Sequence, residues 1–139
     1  LGVLDWLRFP GHVADMPAAY RVSDISLNIS EQEGLPRVAI ESQAMGVPLI
    51  VSDTGPGREV ALTEPDVPRD FASGLRVPYA NAKALADAIE TMLSWNPEER
   101  AAYGKRGSDH VRSRFTLEQL TSKTLDVYER VLARRRNRN

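Results

Sequence analysis

The residues with the most chemical promise lie between Asn28 and Asp53, in NISEQEGLPRVAIESQAMGVPLIVSD. Glu33 stands just before a predicted helix and Glu41 inside it. Between them fall the first-turn amides near Arg37 and Val38, which have no intrahelical partners and carry partial positive charge. A helix start of this kind is an anion site, and phosphate is its usual guest in α/β proteins. From Pro36 to Glu41 the helix rises roughly 7.5 Å. A diphosphate on the helix start therefore leaves Glu33 near one end of the ligand and Glu41 near the other. The plainer alternative makes Glu33 a helix cap and Glu41 a solvated face residue.

The flanking elements decide whether such a site can form. Ile25 to Ile29 alternates apolar and polar residues and reads as a strand opened by Asp24. It delivers the chain to the polar loop Ser30 to Gly34. Pro36 suits the first turn of the helix, where its missing N–H costs nothing. Val38, Ile40, Ala44 and Met45 supply an apolar face, with Glu41 and Gln43 pointing elsewhere. Gly46 is expected to end the helix in a left-handed cap, and Val47-Pro48 stops it restarting. Leu49-Ile50-Val51 is an apolar run suited to a buried parallel strand. The acidic loop thus falls at the carboxyl end of a parallel strand, where open α/β sheets bind ligands.

The string EGLPRVAIESQAMGVPLIVSD, with TGPGREV after it, resembles the Glu-x7-Glu signature of retaining GT-B glycosyltransferases of the family-4 type, the glycosyl transferases group 1. The resemblance implies an α/β fold, the second half of a GT-B C-terminal domain: a partial, Rossmann-like, doubly wound parallel sheet with C-terminal helices. It implies transfer of a sugar, of hexosyl type, from a nucleotide-diphosphate donor to a hydroxyl acceptor with retention of configuration. By position, the catalytic role against the donor sugar falls to Glu33 and the ribose-binding role to Glu41. Backbone amides of Gly34, Leu35, Arg37 and Val38 complete the donor set. Pro36 departs from the glycine of many members and removes one amide donor. No metal or other cofactor is implied. The acceptor, a glycan or lipid in polysaccharide or glycolipid biosynthesis, would be held by an N-terminal domain. The expected location is cytoplasmic, peripheral to the inner membrane face at most. The rival readings are a non-catalytic α/β nucleotide-binding module and a GT-B-like sugar-nucleotide epimerase.

Composition fits these expectations. Of 139 residues, 42% are hydrophobic and 27% charged, the balance of one soluble globular unit. A formal net charge of −1 offers no basic field for nucleic acid. The absence of cysteine excludes disulfides and thiolate-bound zinc. There is no Asp-x-Asp pair, P-loop, Gly-x-Ser-x-Gly elbow or Gly-x-Gly-x-x-Gly turn, and His12 and His110 lie far apart. His12, on a loop expected near the nucleotide base, reads first as a surface residue. The chain opens on Leu1 rather than Met, which with the resemblance sets the expectation of a piece of a longer enzyme, inactive in isolation.

Further along, Trp6 to Phe9 reads as a short strand ended by Pro10-Gly11. Asp15 is placed to cap a short helix. Asp53 to Arg58 reads as a flexible loop, with Glu59-Val60 starting a helical turn. Residues 63–73 read as a surface loop, and Gly74 to Val77 as an edge strand stopped by Pro78. Residues 1–78 form the expected nucleotide-sugar-binding portion and 79–139 a helical portion. Asn81 and Asn96 are set to cap two helices, the second weakened by Gly104 and Gly107 at about 1 kcal/mol each against alanine. Thr116 and Gln119 have capping-box spacing and open a last helix. The terminal Arg134, Arg135, Arg136 and Arg138 read as a helix end whose cations suit the dipole.

Overall fold

Leu49, Ile50, Val51 and Ser52 are buried without exception, because this strand is the middle of a three-stranded parallel sheet. The computed structural model describes residues 2–136. In chain order it has α1 (Met16–Arg21), β1 (Ser26–Asn28), α2 (Arg37–Ala44), β2 (Leu49–Ser52), α3 (Gly55–Val60), β3 (Gly74–Val77), α4 (Ala82–Ser94), α5 (Pro97–Arg114) and α6 (Leu117–Arg136). Leu27 pairs with Ile50, and Ile50 with Leu75.

Successive strand residues face opposite ways, and β2 accordingly feeds two cores. Ile50 packs with Ala72, Val77, Ala88, Met92, Trp95 and Tyr103 on one face. Leu49 and Val51 pack with Ala39, Val60 and Ala61 on the other. Helix α4 therefore covers one face while α2 and α3 cover its opposite. That is the partial doubly wound arrangement with C-terminal helices expected from the sequence. Helix α5 serves both sides. Its Tyr103 lies 4.2 Å, ring centre to ring centre, from Trp95 in the first core, and Phe115 at its end packs against the second.

Caps fall where the sequence put them. Asp15, Asn81 and Asn96 accept N–H bonds from Ala18, Ala84 and Glu99. Thr116 accepts from the Gln119 amide at 3.2 Å. Gly46 takes the left-handed conformation at φ +80°. The apolar residues of α6, among them Leu117, Leu120, Tyr128 and Leu132, are exposed among the described residues. Helix α6 carries Arg134 and Arg135 in its last turns, and Arg138 lies outside the described residues.

Several expectations are corrected. Trp6 to Phe9 is not a strand: a 3-10 turn covers Leu4–Trp6, and Trp6 and Phe9 are 86% and 85% exposed. No neighbouring strand among the described residues offers this run a ladder to join. The loop 53–58 is instead largely helix α3, because Thr54 caps it through the Gly57 amide at 3.2 Å and Pro56 sits in the first turn. Pro36 is the N-cap of α2 rather than a helical residue. The inward face of α2 is Ala39, Ser42 and Gln43, while Val38 is exposed. Gln43 is fully buried because its amide ties three elements: Nε2 donates to the Val60 carbonyl at 2.7 Å, and Oε1 accepts from Ser73 Oγ at 3.0 Å. The segment 63–73 is not wholly superficial, since Thr63, Ala72 and Ser73 are buried. Gly104 and Gly107 are the points at which α5 presses on the end of α2, against Gly46 and Gln43 respectively.

Candidate functional site

The site begins where β1 ends. Residues 31–35 are exposed and join β1 to α2 at the carboxyl edge of the sheet. Glu33 has one polar partner among the described residues, the Asn28 side-chain amide, whose Nδ2 lies 3.4 Å from Oε1. The loop is drawn in on itself by Ser30 Oγ, which donates to the Gln32 carbonyl at 3.2 Å.

Helix α2 starts without a side-chain cap. Pro36 offers its carbonyl to the Ile40 amide at 3.1 Å but has no side-chain acceptor for the Arg37 and Val38 amides. Those N–H groups keep their partial positive charge at an exposed helix end. At Gly34 an added Cβ would meet nothing within 4 Å, so the space in front of the loop backbone is open.

Glu41 lies one turn further along α2, half-exposed, with Arg37 Nη2 at 3.7 Å. Beneath it is Tyr20 of α1, only 6% exposed, whose hydroxyl reaches the Val38 carbonyl at 3.5 Å. Burial, then the charge of Glu41 and a hydrogen bond with it, push the Tyr20 phenol above its usual range. The Tyr20 hydroxyl therefore stays protonated, as the donor to the Val38 carbonyl.

The candidate residues thus divide into two kinds. Glu33, Gly34 and the first amides of α2 share the open rim between β1 and α2, and Glu41 follows on the next turn. Leu35 and Arg37 also line a groove of about 520 Å³ with Phe115 and Leu120, and the Arg37 guanidinium reaches back to Glu41. Residues 53–58 form the adjoining wall. Asp53 is held by Arg58 at 2.7 Å and by Arg76 at 3.2 Å, and the Arg58 hydrogen bond, foremost, keeps its carboxyl below the usual range.

Two supporting residues escaped the sequence reading, Asn28 and Ser52. Ser52 is 2% exposed, and its hydroxyl oxygen accepts the Ser30 backbone N–H at 2.8 Å. The available signal was slight: a polar residue closing an otherwise apolar strand. Among the described residues, no three His, Cys, Asp or Glu side chains cluster as a metal site. Nor is any described helix long and apolar enough to cross a membrane.

The chain is 33% identical over 135 residues to a D-inositol 3-phosphate glycosyltransferase of Saccharomonospora viridis, covering 96% of the chain and 29% of the relative. It is 27% identical over 131 residues to the lipopolysaccharide core biosynthesis mannosyltransferase LpsB of Rhizobium meliloti, covering 94% and 36%. The chain thus spans about a third or less of these relatives' length. Among solved structures, sucrose-phosphate synthase from Thermosynechococcus elongatus superposes with a TM-score of 0.79 at 28% identity, over 94% of this chain and 31% of that one. Anabaena HepE in complex with UDP-glucose shares the fold, with a TM-score of 0.79 at 20% identity over 93% and 34%. The family described as glycosyl transferases group 1 matches residues 2–94. Because that match covers more than half of the chain, the chain belongs to the glycosyl transferases group 1.

Proposed function

We propose that this chain supplies the donor-binding part of a retaining glycosyltransferase of hexosyl type. The reaction moves a sugar from a nucleotide-diphosphate donor to a hydroxyl of a glycan or lipid acceptor, with retention and without a metal. The acceptor would be held by an N-terminal domain of the whole enzyme, working in the cytoplasm or at the inner membrane face. The observation that carries the reading is the uncapped start of α2, open at the carboxyl edge of the sheet and flanked by Glu33 and Glu41.

The chemistry follows from charge. Breaking the anomeric bond develops positive charge on the sugar and negative charge on the departing diphosphate. The free amides of Arg37 and Val38 suit the second, because fixed dipoles need no reorganisation as charge develops. Glu33, on its loop, orients the sugar and favours its positive charge. Glu41, a turn deeper, accepts hydrogen bonds from the ribose hydroxyls. The amide of Gly34 joins those of α2 on the diphosphate and sugar.

The test uses the full-length protein with UDP and UDP-glucose as probes. Glu41→Ala is expected to weaken UDP binding at least tenfold by calorimetry, since its contacts are alike in ground and transition states. Glu33→Ala is expected to lower glucose release from UDP-glucose at least a hundredfold with UDP affinity within threefold. Wild-type UDP affinity in the first variant, or wild-type turnover in the second, removes the residue from the site. UDP binding without any turnover, with or without acceptors, would favour a non-catalytic module.

A further inference from the structure

Strand β1 stops one residue short of its neighbour. Asn28 pairs with Val51, and β2 continues to Ser52, which pairs with Val77 on its other side. Continued parallel pairing would put Ile29 opposite Ser52. The main-chain ladder breaks off there instead, and a side chain takes over. The Ser30 N–H, which needs an acceptor in this half-buried position, donates to Ser52 Oγ at 2.8 Å. The chain thereby leaves the sheet plane and still has its first loop amide tied to the middle strand.

The same strand end reaches the carboxylate. Asn28 is the last residue of β1, and its Nδ2 lies 3.4 Å from Glu33 Oε1. One link fixes the backbone at the loop's entry, and the other fixes the side chain near its tip. Together they span Ser30 to Glu33 from two adjacent strands, of which β2 is packed into the cores of both faces.

We propose that Ser52 and Asn28 are positioning residues, a two-point latch from the sheet that sets where the Glu33 carboxylate stands. This rests on the reading of Glu33 as the residue that faces the donor sugar. A carboxylate that must face a developing charge loses effect steeply with displacement, and about 1 Å of misplacement can cost a hundredfold in rate. Neither residue needs to touch the ligand to control turnover.

The experiment compares Ser52→Ala, Ser52→Thr and Asn28→Ala in the full-length protein, by amide hydrogen exchange and by kinetics with UDP-glucose. Ser52→Ala is expected to speed exchange of the Ser30 amide at least tenfold while α4 exchanges as in wild type. Glucose release should fall at least tenfold in kcat, with KM for UDP-glucose within threefold. Ser52→Thr keeps a hydroxyl and is expected to restore both. Asn28→Ala, at a half-buried site, is expected to lower kcat alone and leave Ser30 exchange unchanged. Unchanged Ser30 exchange in Ser52→Ala overturns the latch. So does a fall in kcat matched by an equal rise in KM, or a threonine variant as impaired as alanine. Should wild-type protein bind no UDP, the donor reading fails, and the exchange result still decides whether Ser52 holds the loop.

Discussion

Gly104 of α5 sits directly against the Gly46 carbonyl, so close that any Cβ there would overlap that oxygen. Two glycines separated widely in sequence thus meet at one contact, the first allowing close approach and the second a left-handed turn at φ +80°. Helix propensity alone favours alanine at position 104 by about 1 kcal/mol. The contact reverses the sign. Gly104→Ala is expected to destabilise the protein by about 2 kcal/mol, the range of overpacking changes. Urea unfolding of both proteins checks this, and a stabilised variant would refute the close contact.

A second expectation concerns Gln43. Its amide serves the Val60 carbonyl and the Ser73 hydroxyl at full burial. Gln43→Met preserves volume but takes the side-chain donor from the Val60 carbonyl and leaves Ser73 Oγ only its Leu62 backbone contacts, and an unsatisfied buried group costs about 1–3 kcal/mol. Loss of about 2 kcal/mol or more in chemical denaturation is expected, with α3 becoming the first segment to exchange its amides.

Gly34 separates folding from binding. A methyl group there meets nothing in the protein, so Gly34→Ala should leave stability within about 0.5 kcal/mol, as for surface changes generally. Against a diphosphate held by the loop amides, the same methyl group lies in the way. UDP affinity is expected to fall at least tenfold while the melting temperature stays put. Unaltered affinity would move the ligand away from this backbone.

The ion pairs of Asp53 and Asp66 tie stability to pH. Asp53 is held below the usual carboxylate range chiefly by Arg58, and Asp66 chiefly by Arg76, whose side chain is 8% exposed. Folded values lower than the unfolded value of ~3.9 mean stability that is complete above that pH and lost as pH falls through the folded values. The melting-temperature gap between wild type and Asp53→Asn/Asp66→Asn is therefore expected to be largest near neutrality and to close below about pH 4. A constant gap would show that these pairs contribute nothing through charge.

Much of this fold could be read from the chain because local signals and packing agree. Asn81, Asn96 and Thr116 cap the helices that follow them, and the apolar Leu49 to Val51 is buried on both sides of the sheet. Misreadings arose where tertiary contact overrode composition. Gln43 looks polar and outward-facing, but buried partners on α3 and beside β3 draw it in. Trp6 and Phe9 look like strand residues and find no strand to join among the described residues. Glu33 and Glu41 drew attention through the resemblance of EGLPRVAIESQAMGVPLIVSD to a known signature, their spacing alone being a weak signal. Ser52 and Asn28 were not, because a hydroxyl replacing a ladder rung leaves no periodic trace.

The sheet's outer rim at β1 has a practical consequence for handling the protein. Among the described residues, Ser26 to Asn28 pair on one side alone, with Leu27 44% exposed. Unsatisfied main-chain groups along such a margin invite another extended segment to add on. In concentrated solution the protein should self-associate through that border before it unfolds. A lysine in place of Leu27 is the natural countermeasure.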